Sequence, residues 1–237
     1  MDKVAVYAGT SNVYPQMYTA LKSLLINNQM DRVYLFVDKL PFPYPVPDNV
    51  KIVDVSEQPF FPKNSANSDS PWTYMDMLRC ALGFILPTED CVLWFDIDTI
   101  VDADISELFS IDMTGYYFAG VPEFYKSTAF FKYLNTGVCM HNLNLLRVMG
   151  KEHEMISFLN VYHFDYPGQD AISLLGQGRI KTIDSEFNMN ICVNPCHTPK
   201  IYHFADKKIP EYTQYWQYKK YEQMELITGE ENDGKND

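Results

Sequence analysis

The first hundred residues alternate short β-branched runs with helical spacing, and that order narrows the architecture most. "KVAVYAG" (3–9) is followed by "SNVYPQMYTALKSLLINN", in which Tyr18, Leu21, Leu24 and Leu25 recur as on one helix face. "DRVYLFVDK" (31–39) and "VKIVDVS" (50–56) read as two further strands, separated by the proline-rich "LPFPYPVPDN". Strand, helix, strand in this order predicts a parallel sheet with right-handed crossovers, because the helix carries the chain back to begin the next strand in the same direction. "TYMDMLRCALGFILP" (73–87) reads as a helix stopped by Pro87, "CVLWFD" (91–96) as a buried strand and "ADISELFSI" (103–111) as a short helix. The fold class is α/β.

Beyond these, "YYFAGVPE" and "YLNTGVCMHN" (133–142) read as strands, "LNLLRVMGKEHEMISFLNVY" as one helix and "GQDAISLLGQG" (168–178) as a shorter one. "RIKTID", "KIYHFAD" and an aromatic helix from 211 to about 226 complete the pattern. Residues 56–72, rich in Pro, Ser and Asn, are too irregular for an element and long enough to be a candidate lid. With no repeat and no long linker, residues 1–226 are expected to form a single domain, followed by an acidic, disordered tail at 227–237.

A chain of 237 residues, 46% hydrophobic and 15% aromatic, fills one large core. Its net charge of −12 lacks the Lys/Arg cluster that phosphate-backbone binding needs, so nucleic acid is not an expected partner. An anionic small molecule would need a divalent cation between itself and the protein's carboxylates. The start, "MDKVAVYAG", has no apolar leader, and no window holds the roughly 18 apolar residues of a membrane span, so the expectation is a cytoplasmic protein with no intrinsic membrane anchor. Five cysteines, with Cys80, Cys91, Cys139 and Cys192 in apolar or helical stretches, fit a reducing compartment. Cys192 and Cys196 form a lone C-x-x-x-C without the second pair a zinc site requires.

The segment "VLWFDIDTIV" (92–101) carries the chemistry. Ligands of parallel α/β sheets bind outside the carboxyl ends of the strands, where Asp96 and Asp98 fall. Residues i and i+2 of an extended segment point the same way, so both carboxylates can face one hard cation. Read alone, the pair can equally end a strand and begin a turn. Two chemistries use the pattern. In a haloacid-dehalogenase-type phosphatase the first Asp is a nucleophile, but that motif sits near the N-terminus with a later acidic pair, which this chain lacks. In sugar transfer from a nucleotide diphosphate, the D-x-D follows about a hundred residues of nucleotide-binding β-α structure, as it does here.

In this order of motifs the chain resembles glycosyltransferase family 8, the retaining GT-A enzymes that include bacterial galactosyl- and glucosyltransferases and glycogenin. "YAGTSNVY" resembles the family's nucleobase loop and keeps Ala8, Asn12 and Tyr14, with Thr10 near the usual acid. Arg79, Pro87 and "VLWFDIDTIV" match an arginine, proline and D-x-D in register; "YLNTGV" resembles F-N-x-G-V; "GQDAIS" resembles D-Q-D-x-L-N; and "IYHFADKKIPE" resembles H-Y-x-G-x-x-K-P-W. The resemblance implies a GT-A fold with a mixed, mainly parallel central sheet. It implies a metal-dependent retaining transferase that moves a hexose from UDP-glucose or UDP-galactose to a glycan or other hydroxyl acceptor. Asp96, Asp98 and His203 would hold Mn²⁺ or Mg²⁺. Ala8, Thr10, Asn12, Tyr14, Arg79, Asp96, Ile97, Asn135, Gly137, Lys207 and Lys208 would bind the donor, and Gln169 and Asp170 would lie beside the anomeric carbon. No strong side-chain base is evident, in keeping with front-face attack in which the leaving phosphate oxygen takes the acceptor proton.

Each residue also has a plainer reading. His203 alone is a core or turn histidine, Asn135 a turn residue, Arg79 a surface ion-pair partner, and Asp170 a helix N-terminal cap. Three departures stand out: Gly168 replaces the first acid of D-Q-D, Asp206 replaces a glycine, and Ile209 stands at the family's lysine. They motivate an alternative in which the protein binds sugar nucleotide without transferring it. Trp72 and the aromatics of "YTQYWQYKKY" read as packing, with Trp72 a weak candidate for stacking on an acceptor sugar.

Overall fold

The computed structural model describes residues 1–70, 73–190, 196–205 and 207–226, so the expectations for Trp72, Cys192, Asp206 and the 227–237 tail lie outside the described residues. Its centre is a seven-stranded sheet of β1 (Val4–Gly9), β2 (Arg32–Val37), β3 (Val50–Asp54), β4 (Cys91–Phe95), β6 (Phe118–Pro122), β7 (Leu134–Asn142) and β8 (Ile180–Thr182) in the order β3-β2-β1-β4-β7-β6-β8. All neighbours are parallel except β7, which runs antiparallel to both β4 and β6. The mixed, mainly parallel sheet that the family resemblance implies is therefore present, and the strand-helix order accounts for its parallel pairs.

Strand pleating divides the core in two. Val4, Val6, Val92 and Trp94 face one cluster, and Ala5, Tyr7, Leu93 and Phe95 face the other, which is why these strands are apolar throughout. The second face is covered by α1 (Tyr14–Asn27) through Met17, Leu21 and Leu24, and by Phe42, Tyr44 and Val46 of the proline-rich link. The first is covered by α2 (Tyr74–Met77), α3 (Leu82–Ile85), α4 (Leu143–Val148), α5 (Lys151–Val161) and α6 (Pro167–Leu175).

Several helices are shorter than their spacing predicts. The 73–87 segment divides into α2, a 3-10 turn at Leu78–Cys80, and α3, interrupted at Ala81 (φ −124°, ψ 15°). Glu152 enters this region from α5, and its carboxylate accepts the Gly83 N–H at 2.5 Å. The 143–162 helix breaks at Gly150, whose φ of 62° is left-handed and accessible to glycine at little cost. The helix expected at 103–111 is a 3-10 turn at Ser106–Ser110, and the aromatic C-terminal helix becomes α7 (Ile209–Tyr212) and α8 (Trp216–Glu222).

A second sheet, of β5 (Thr99–Val101), β10 (Ile201–His203) and β9 (Met189–Asn190), is one the sequence pattern does not announce. Strand β10 runs antiparallel to β5 and parallel to β9. The candidate lid is held down among its described residues: the buried Asn67 donates to the carbonyls of Leu159 and Tyr162 and accepts from Phe164 N–H. Among the described residues, no helix is long and apolar enough to cross a membrane.

Candidate active site

Strand β4 belongs to the large sheet and β5 to the small one, so Asp96 and Asp98 occupy the turn where the chain passes between them. They do not meet along an extended strand, as i, i+2 spacing predicts. The turn aligns them, closed by Thr99 N–H to Asp96 O at 3.2 Å and anchored by Asp96 N–H to Gly137 O at 2.8 Å. Asp96 Oδ1 accepts from Arg79 Nη2 (2.8 Å) and Trp94 Nε1 (2.9 Å), while Oδ2 faces His203 Nε2 at 3.9 Å. Asp98 Oδ1 lies 3.3 Å from the same nitrogen.

The His203 ring, 3% exposed on β10, is oriented from behind. Asn188 Nδ2 donates to both Asn135 Oδ1 (2.9 Å) and Asn135 O (3.2 Å), which leaves Asn188 Oδ1 to accept from His203 Nδ1 at 2.8 Å. A proton is thereby assigned to Nδ1, and Nε2 is the ring nitrogen left facing the carboxylates. Burial disfavours a charged His203, but the Asp98 and Asp96 carboxylates outweigh it and raise the pKa above the ordinary imidazole value. One ligand atom from each of Asp96, Asp98 and His203 lies within 4.8 Å of the others. Two carboxylates and one imidazole, with no thiolate, form a donor set suited to Mn²⁺ or Mg²⁺.

Strand β7 reaches this turn through a bulge. Its pairing with β6 runs from Gly120↔Cys139 to Val121↔Asn135, so Thr136, Gly137 and Val138 have no partners on β6. The freed segment brings Thr136 to Arg79, whose Nη1 donates to Thr136 O (2.9 Å) and Oγ1 (2.7 Å). Arg79 is 3% exposed and pairs with Asp76 at 2.6 Å as well as with Asp96, so the surface-pair reading is replaced by a buried ionic hub. Burial works against its charge, yet the Asp76 and Asp96 carboxylates hold its pKa above the usual value.

Two cavities meet at the turn, sharing Asp76, Arg79, Asp96 and Asp98. One, about 310 Å³, is lined by Ala8, Thr10, Asn12, Ile97, Lys207 and Ile209 among others. The other, about 290 Å³, is lined by Glu123, Lys126, Asn135, Thr136, Gln169 and His203 among others. Most residues singled out in the sequence therefore converge, and four stand apart. Tyr14 donates to Asp38 Oδ1 (3.0 Å) and Lys39 O (2.8 Å), bracing the loop after β2. Gly137 packs against His203, Lys208 is exposed at the start of α7, and Asp170 lines neither cavity. Both Asp170 oxygens are engaged, by Tyr133 Oη (2.5 Å) and by the N–H of Tyr166 (3.0 Å); Tyr166 is the N-cap of α6 and Asp170 lies inside the first turn, so Asp170 is not the cap residue of the plainer reading.

Glu123, Asp76, Thr136 and Asn188 join the site without having been marked in the sequence. Glu123 Oε1 accepts from Gln169 Nε2 (2.9 Å) and Asn135 Nδ2 (3.3 Å), so the second cavity does contain a carboxylate. One signal was available: Glu123 immediately follows β6, as Asp96 follows β4, and both strands end on the same side of the sheet.

Known proteins resemble this chain in sequence and in fold. Glycosyltransferase GlyA of Streptococcus pneumoniae serotype 4 is 23% identical over 221 residues, covering 90% of this chain and 30% of that protein. Glycosyltransferase GlyE of the same organism is 24% identical over 210 residues, covering 80% of this chain and 48% of its own length. The chain thus spans less than half of these relatives. The GlyE crystal structure superposes with a TM-score of 0.73 at 19% identity, over 95% of this chain and 61% of that one. The structure of the galactosyltransferase LgtC with donor and acceptor sugar analogues superposes at 0.69 and 15% identity, over 92% and 95% of the two chains. The shared architecture is the GT-A fold. The family model for glycosyl transferase family 8 matches residues 6–222, nearly the whole chain, and the protein belongs to that family.

Proposed function

We propose that the protein transfers a hexose from UDP-glucose or UDP-galactose to a hydroxyl of a glycan or other acceptor, with retention at the anomeric carbon. The convergence of Asp96, Asp98 and His203 at the junction of two cavities carries this reading. The cavity lined by Ala8, Thr10, Asn12 and Ile97 takes the nucleoside, and the one lined by Asn135, Gln169 and Glu123 takes the sugar. Mn²⁺ or Mg²⁺ held by Asp96, Asp98 and His203 would neutralise charge on the diphosphate. Lys207, beside the nucleoside cavity, adds a cation to the same leaving group.

Around the sugar, Gln169 is fixed at both ends: its Oε1 accepts Thr136 N–H at 3.1 Å and its Nε2 donates to Glu123. An amide so held can orient a sugar, but a neutral amide is a poor nucleophile. Glu123 is itself occupied by Gln169 and Asn135. The scheme that fits is front-face substitution. The acceptor oxygen bonds to the anomeric carbon as its bond to the diphosphate breaks, and the acceptor proton passes to the departing phosphate oxygen.

The test is calorimetric titration of UDP with and without Mn²⁺, on wild type and Asp98→Ala, followed by product analysis with UDP-glucose and UDP-galactose. Metal-dependent binding that the substitution abolishes, together with hexose transfer or hydrolysis, is expected. Tight UDP binding without turnover would favour the binding-only alternative, and absence of UDP binding would remove the nucleotide-sugar reading altogether.

A further inference from the structure

We propose that Asp76 hydrogen-bonds a hydroxyl of the donor sugar and helps set which sugar is accepted, with Gly168 left bare to make room for it. The proposal rests on the reading of the second cavity as the donor-sugar site.

Asp76 lies on α2, at the junction of the two cavities. Its Oδ1 accepts from Arg79 Nη2 at 2.6 Å and its Oδ2 from Gly168 N–H at 2.9 Å. A carboxylate has about four acceptor positions, so two remain, and a side chain 20% exposed at the cavity wall presents them to a ligand. Across the cavity, Glu123 Oε1 accepts from Gln169 and Asn135 while its Oε2 faces Lys126 Nζ at 3.5 Å, and Asp96 and Asp98 are turned to His203.

The Gly168 backbone shows why no larger residue stands there. A Cβ at 168 would fall 2.8 Å from Asp76 Oδ2, 2.8 Å from Asp76 O and 3.1 Å from Arg79 Cδ. A side chain at 168 and a carboxylate at 76 compete for one volume. The departure seen in the sequence, Gly in place of the first acid of D-Q-D, therefore coincides with an acid delivered from a different element into the space a side chain at 168 would take. The charge is kept, but the hydroxyl it can reach and the angle of approach differ, and that changes sugar preference.

The competing view is that Asp76 only neutralises Arg79. A chemical double cycle separates the two. The full chain with Mn²⁺ is titrated with UDP, UDP-glucose and UDP-galactose, and then with the 2-, 3-, 4- and 6-deoxy analogues of the better-bound donor, for wild type and Asp76→Asn. Wild type is expected to bind one deoxy donor about tenfold more weakly than its parent, the usual scale for a hydrogen bond to a charged group. Asp76→Asn is expected to bind that analogue and the parent within about twofold of each other and to keep UDP affinity within about twofold of wild type. An unchanged deoxy penalty in the variant, an equal loss for UDP and UDP-hexose, or a wild type indifferent to every deoxy substitution overturns the proposal. If the asparagine variant does not fold, Asp76→Ser supports the same comparison. Failure of wild type to bind UDP at all refutes the donor-site reading instead, which keeps the two outcomes distinct.

Discussion

The imidazole of His203 occupies the space that a side chain at Gly137 would need, with an added Cβ falling 2.1 Å from Cε1 and 2.6 Å from both ring nitrogens. The glycine is required by close approach rather than by an unusual backbone angle, and the contact seats β10 against the β7 bulge. Gly137→Ala is expected to displace the ring from Asp98 and abolish Mn²⁺-dependent UDP binding, while destabilising the fold by about 1–3 kcal/mol, the usual range for overpacking. Titration and thermal melting read the two effects separately. Wild-type binding by this variant would show that His203 is not needed at the cation.

Asn188 is the next link outward. Its amide fixes the Nδ1–H tautomer of His203 through the 2.8 Å contact, and its own orientation is set by Asn135. Asn188→Leu should lower Mn²⁺ affinity about tenfold to a hundredfold, the range for lost outer-shell partners, with Asn188→Gln recovering part of it. Mn²⁺ binding followed by paramagnetic resonance measures this without turnover. Equal affinity in all three proteins would reduce Asn188 to a packing role.

The contrast between His203 and Asn188 shows how much of the site could be read in advance. His203 stands in "IYHFADKKIPE", a stretch legible by its resemblance to a family motif that follows the D-x-D in order. Asn188 lies in "EFNMN", too short to announce an element and part of no motif read in the sequence, and acquires meaning only through contacts at sequence separations of 15 and 53. The same division holds for the fold. Strands of five or more apolar residues in the large sheet were legible because burial on both faces leaves a continuous run. β5 and β9, three and two residues long, exist through pairing with β10, a tertiary event. Asp76 was read simply as part of a helix, because its meaning depends on the absence of a side chain 92 residues away.

Arg79 is expected to be the least replaceable side chain of the site. Its guanidinium pairs with Asp76 and Asp96, donates to Thr136 and lies 4.8 Å from the Trp94 ring centroid. Arg79→Ala would leave two carboxylates without their cation, at a cost of about 3–5 kcal/mol for breaking a buried pair. Denaturant melts of Arg79→Ala and Arg79→Lys test this. A loss below about 1 kcal/mol in both would mean the hub is hydrated and of the ordinary surface kind.

Glu152 is a buried carboxyl group that the proposed chemistry does not use and that makes stability depend on pH. Glu152 is 2% exposed, its Oε1 accepts the Gly83 N–H, and its Oε2 has no hydrogen-bond partner among the described residues. Burial raises its pKa from 4.5 to about 7, although the Gly83 N–H and the Arg147 charge both oppose the rise. An acid whose folded pKa is raised binds its proton more tightly when folded, so its favourable contribution is complete below pH 4.5 and is lost as pH rises through about 7. The shift corresponds to about 3 kcal/mol at most. Glu152→Gln keeps an oxygen for Gly83 and cannot ionise. It is therefore expected to match wild type in urea melts at pH 4.5 and to exceed it by about 2–3 kcal/mol at pH 8.5. The difference between the two proteins cancels every other titrating group they share. A stability gap that does not change between the two pH values would mean that Glu152 ionises in the folded protein as readily as in the unfolded chain, with its charge compensated where it lies.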